Sequence, residues 1–101
     1  RRVATWLAVL AALFLTAVAS VLVVENRAER RARAFCERFA VGTPFAEVQR
    51  AAANEGDARH RSIRTGEVAL VHIGVPPFSR HTCIVEAADG KVGSARYVFI
   101  D

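Results

Sequence analysis

The sequence predicts an α+β chain: an N-terminal transmembrane helix continuing into a two-helix layer packed on a four-stranded antiparallel sheet. Three observations carry this expectation. Residues 3–24, VATWLAVLAALFLTAVASVLVV, contain no charged side chain. The next thirty residues space their apolar side chains at helical intervals, and beyond Asp57 the pattern turns to short β-branched runs separated by turns.

The apolar stretch comes first. As a helix, 22 residues rise about 33 Å, which matches a hydrocarbon core of about 30 Å. Arg1 and Arg2 precede it like the n-region of a secretory signal, and Ala17-Val18-Ala19 has the small-x-small form of a cleavage site. Val21 to Val24 extend the run past that site, so the segment reads as an uncleaved signal-anchor in a chain whose missing initiator Met suggests trimming. Basic residues are fewer before the span than after it, where Arg27, Arg30, Arg31, Arg33 and Arg38 follow. That count alone favours a cytoplasmic domain. Export by a signal-like N-terminus, together with a cysteine pair that persists as a disulfide in oxidising compartments, favours the opposite side. The expectation is a single-pass inner membrane protein with a periplasmic C-terminal domain.

The next helix follows without a breaker. Ala28, Ala32, Phe35, Cys36, Phe39 and Ala40 form the stripe of an amphipathic helix, which Gly42 is expected to end at its C′ position. The arginines of its first turns, Arg27, Arg30 and Arg31, are expected at anionic lipid headgroups. Thr43 and Pro44 then predict the N-cap and first residue of a second helix. That helix directs Phe45, Val48, Ala51 and Ala52 inward and ends near Asn54-Glu55-Gly56. The divisions expected are an anchor over residues 1–24, a basic juxtamembrane helix over 25–34 and a small domain over 35–101.

Four strands are predicted, at residues 59–64, 67–73, 80–87 and 91–100. Between the second and third, Pro76 and Pro77 lack backbone donors and mark a loop, whose Pro76, Pro77 and Phe78 form a candidate binding surface. The last hairpin admits two registers. A two-residue Asp89-Gly90 turn places Cys83 opposite Arg96. A longer loop with a bulge at Gly90 places Cys83 opposite Ala95, Val85 opposite Gly93 and His81 opposite Tyr97. The second is preferred, because it gathers Arg80, Thr82, Glu86, Ser94 and Arg96 on one face, with Ile84, Val92 and Val98. It also turns Cys83 toward the helices, where Cys36 can meet it in a disulfide closing a 47-residue loop.

Composition excludes several function classes. The residues after the apolar run carry 12 Lys and Arg against 10 Asp and Glu, too even for an electrostatic nucleic-acid binder. No cofactor is expected, since the glycines are scattered at turns and no phosphate-binding loop or carboxylate pair appears. His81 and Cys83 share a strand face, but no further ligand stands at metal-site spacing, so no metal is expected. A Cys83 nucleophile lacks the exposed, electropositive setting that lowers a thiol's pKa. The chain therefore reads as non-enzymatic.

The segment Val41-Gly42-Thr43-Pro44-Phe45-Ala46-Glu47-Val48, with its glycine followed six positions later by valine, carries a likeness, as does the Cys83…Asp89-Gly90-Lys91-Val92 hairpin. Over about residues 35–100 the chain resembles the periplasmic small-lipoprotein and β-lactamase-inhibitory-protein-like fold, two helices on one face of a curved sheet. That resemblance implies a non-catalytic protein-interaction role in the bacterial cell envelope, with the bilayer and an envelope protein as partners. It departs from the family at Arg33-Ala34-Phe35, which is no lipobox for Cys36, so the anchor is protein rather than lipid. A lesser likeness is to type IV pilin-like subunits, although Thr5 stands where their pattern has Glu. A redox- or metal-responsive sensor built on Cys36 and Cys83 is the remaining alternative.

Overall fold

The computed structural model describes residues 1–56, 58–75 and 79–100. Asp57, Asp101 and the candidate surface Pro76, Pro77 and Phe78 lie outside the described residues.

One helix, α1 (Arg2–Arg38), contains the whole apolar stretch and runs on into the domain without interruption. Its 37 residues give a length of about 55 Å, within a molecule 71 Å long and only 21 Å wide. The first part is a candidate membrane span: an 18-residue window has mean hydropathy 2.8 and none of it is buried by the rest of the chain. Thr5, Thr16 and Ser20 each turn their hydroxyl back onto the carbonyl four residues earlier, so these three hydroxyls are satisfied within the helix.

Beyond the apolar stretch α1 becomes one-sided, burying Ala28, Ala32, Phe35 and Cys36. The helix ends earlier than Gly42 suggests. Phe39 is its C-cap, with extended backbone, because leaving the helix there drives the ring into the core beside Phe35, centroids 5.2 Å apart. Gly42, at φ +97°, instead turns the chain back so that its N–H reaches Val92 O at 2.9 Å. The second helix, α2 (Phe45–Asn54), buries Phe45, Val48 and Ala52. Thr43 is not its N-cap: Pro44 holds that position without a side-chain cap, and Thr43 O accepts from Val92 N–H at 2.8 Å. The segment between the helices is thereby used as an extra edge rung.

The sheet is an antiparallel meander in the order β1 (His60–Ile63), β2 (Glu67–Ile73), β3 (Arg80–Ala88) and β4 (Lys91–Ile100). Both helices pack on one face, where Val68, Leu70, Cys83, Val85 and Val92 complete the core with Phe35, Phe39, Phe45 and Val48.

The β3–β4 register differs from both sequence alternatives. Asp89 and Gly90, at φ +54° and +77°, form the two-residue turn whose twist suits a hairpin. The bulge falls at Gly93 instead, so Cys83 pairs with Tyr97, Val85 with Ala95 and His81 with Phe99. Two requirements explain it. Val92 must face inward, where it is 2% exposed, contrary to its expected outward place. Continuing that phase unbroken would drive Ser94 and Arg96 into the core, so one extra residue flips it and leaves Ala95 and Tyr97 facing the helices. Gly93 is suited to that place because a Cβ there would lie 2.9 Å from the Ala88 methyl.

Cys36 and Cys83 form a disulfide, with Cα atoms 5.5 Å apart across the helix–sheet interface. In the chain-entropy account a 47-residue loop is worth about 4 kcal/mol. Replacing both cysteines by alanine is expected to lower stability by about that amount, read as a lower urea midpoint of the detergent-solubilised chain. An unchanged midpoint would refute the staple. In native material neither thiol should be alkylated until a reductant is added.

Candidate functional site

A polar cluster forms where α1 leaves its apolar stretch. Glu25 directly follows Val24 and falls on the same helix stripe as Ala28, Ala32 and Cys36. Its carboxylate therefore points at the sheet rather than at solvent, and is 25% exposed. Oε1 accepts from Val75 N–H at 2.8 Å, and Oε2 lies 2.9 Å from His81 Nε2.

The far side of His81 continues the chain. Its Nδ1 lies 2.5 Å from the Tyr97 hydroxyl, a diagonal contact across β3 and β4. One proton arrangement satisfies every atom: Tyr97 O–H donates to Nδ1, and Nε2–H donates to Glu25. The Arg33 guanidinium sits 4.2 Å above the Tyr97 ring, held by Glu29 one helical turn back at 3.1 Å. His72, which pairs with His81 across β2 and β3, is buried beside this row.

Partial burial acts to raise the Glu25 pKa. Its hydrogen bonds from Ser79, His81 and the Val75 amide, with the attraction of His81, outweigh that and hold the carboxyl below its ordinary range. The Tyr97 phenol moves up, because burial and the charges of Glu29 and Glu25 disfavour phenolate more than Arg33 favours it. The carboxylate–imidazole–hydroxyl row joins α1 to β3 and β4, and so ties helix to sheet.

Gly74 completes the seat. A Cβ at this position would lie 2.3 Å from Glu25 Oε1, so any larger residue must displace the carboxylate.

The other sequence candidates separate. Arg27, Arg30 and Arg31 are exposed on α1 within two turns of the apolar stretch. Cys36 and Cys83 are 8% and 0% exposed, which shields the disulfide from thiol attack and suits a staple better than a sensor. Its closure also takes the Cys83 sulfur away from any metal shared with His81. Among the described residues no three His, Cys, Asp or Glu side chains group closely enough to hold a metal ion. At the far end, Arg38, Glu47, Arg50 and Glu55 line an open polar groove of about 690 Å³ between α1 and α2. No family model, curated protein or solved structure matches the chain.

Sequence reasoning gave Glu25 and Gly74 no role, and named Tyr97 only as the strand partner of His81. Glu25 carried a usable signal, since an acid three residues before Ala28 falls on the buried stripe where an isolated charge needs a partner. The seat itself depends on tertiary contacts.

Two outcomes follow. Because Glu25 has a lowered folded-state pKa, its contribution is complete above the unfolded carboxylate value, near 4.5, and is lost as pH falls through the folded value. Stability should therefore drop on acidification, and Glu25→Gln should flatten that part of the profile while costing about 1–2 kcal/mol at neutral pH. Gly74→Ala should cost a similar amount in the native chain and almost nothing in a Glu25→Ala background. Additive losses in that double-mutant cycle would show that the glycine serves another purpose.

Proposed function

We propose that this chain is a membrane-anchored, non-catalytic interaction module whose span and folded domain are joined as one rigid body. The observation that carries the reading is the continuity of α1. The helix that bears the apolar stretch also supplies Phe35 and Cys36 to the domain core, without a linker between the two. A domain fixed in this way is presented at constant height and orientation above the bilayer, which suits a docking platform.

The face of the sheet turned away from both helices offers the docking surface. Val71, Ile73, Ile84 and Val98 are only half-buried there, around a buried Thr82 whose hydroxyl has no hydrogen-bond partner among the described residues. Arg96 and Glu86 flank the patch, 3.3 Å apart. An apolar centre with a charged rim is the composition of a protein-binding face. The order of two helices followed by a meander, shared with the small-lipoprotein fold, supports the same role.

The cysteines support one placement. A buried disulfide persists in an oxidising compartment, which favours an inner-membrane anchor with the domain on the periplasmic side. Arg27 and Arg30 then stand at headgroup level, where each basic residue adds about 1 kcal/mol of attraction to anionic lipid.

A photo-reactive residue at position 84 should give one discrete crosslinked species in membranes, while the same residue at the exposed α2 position 46 should give none. Indistinguishable patterns from both positions would reject the sheet face as the docking surface. An alkaline phosphatase fused after residue 101 should be active in cells, whereas an inactive phosphatase beside an active cytoplasmic reporter would reverse the topology.

A further inference from the structure

We propose that the end of the sheet nearest the apolar stretch is a second membrane contact, with Phe99 and Ile100 seated at the boundary between lipid headgroups and acyl chains. This rests on the reading of α1 as a membrane anchor and adds a surface that reading does not require.

Depth is the first consideration. Glu25 follows the last apolar residue of the stretch, so what its side chain touches lies within a few ångströms of the same level. It touches Val75 N–H and His81. These belong to the connection after β2 and the start of β3. In the antiparallel meander that end is shared by the last residues of β4, where Phe99 pairs with His81 and Ile100 with Arg80. The Phe99 ring lies 5.1 Å from the His81 ring, at the same height as Glu25. The Asp89-Gly90 turn is at the opposite end, beside the residues that follow α1, as the bond from Phe45 N–H to Gly90 O records.

Exposure is the second. Outside the apolar stretch only four large apolar side chains among the described residues are exposed: Val41, Ile63, Phe99 and Ile100. Phe99 and Ile100 are consecutive, 49% and 44% exposed, and both stand at this lipid-side end. Arg80, exposed and paired with Ile100, supplies a cation at the same level, and Arg27 supplies another from α1. An aromatic and an aliphatic side chain with arginines at their border match the layering of a bilayer interface. Buried there, they would leave water and fix the tilt of the domain by a second point of support.

The test uses the full chain reconstituted in phosphatidylcholine–phosphatidylglycerol vesicles whose phosphatidylcholine is brominated near the carbonyl end of its acyl chains. Trp6 is the single native tryptophan. Its quenching in the unaltered chain reports the anchor independently. In a Trp6→Phe background, Phe99→Trp should lose at least half of its emission relative to unbrominated vesicles, and Ile100→Trp should behave alike. Lys91→Trp, at the far turn, should lose almost none. Blocked thiols before reduction verify that each variant keeps its disulfide and fold. If Trp6 is quenched while tryptophans at 99 and 100 stay as bright as that at 91, the second contact is wrong and the anchor stands. If Trp6 itself is unquenched, the anchor reading fails.

Discussion

The rest of the molecule depends on the rotational phase of a single helix. Glu25 and Cys36 are eleven residues apart, about three turns of an α-helix, so both point the same way. One reaches the Val75 amide and His81 and the other closes the disulfide with Cys83. Between them Ala28 and Ala32, 6% and 0% exposed, let the helix backbone lie close on the sheet. A helix pinned at both ends of one face cannot roll on the sheet. Whatever direction the apolar stretch takes is imposed on the domain.

The two pins differ in kind, and each suits its place. The disulfide is covalent and almost fully buried, and it constrains chiefly the unfolded chain. The Glu25 seat is polar and partly open to solvent, and it answers to protonation. Thus the lower end of the interface, nearest the apolar stretch, is the one sensitive to acid, while the upper end is sensitive only to strong reduction. Tyr97 links the two regions, because its ring carries Arg33 and its hydroxyl reaches His81.

Much of this architecture was legible in residue patterns, for reasons that also explain the failures. The absence of charge over residues 3–24 and the stripe that follows come from local periodicity, as does the second strand, observed as Glu67–Ile73. Cys36 and Cys83 could be paired because helix stripe and strand alternation each place one cysteine inward. The β4 register was not legible, since a rule that separates polar from apolar finds the correct faces for Ala95, Ser94 and Arg96 without locating the bulge. Placing it at Gly90 rather than Gly93 turned Val92 outward. The end of α1 was likewise read from Gly42, whereas burial of Phe39 decides it. Glu25 drew no expectation from the sequence because its partners, the Val75 amide and His81, lie 50 and 56 residues away.

The central claim is that α1 continues unbroken from the apolar stretch into the domain core, and backbone amide hydrogen exchange tests it most directly. Measured on the full chain in lipid nanodiscs, residues 20–36 should exchange slowly throughout, without a gap between Val24 and Ala32. A fast-exchanging window at residues 25–31, with slow exchange on both sides, would reveal a hinge between anchor and domain and contradict the rigid coupling on which the account rests.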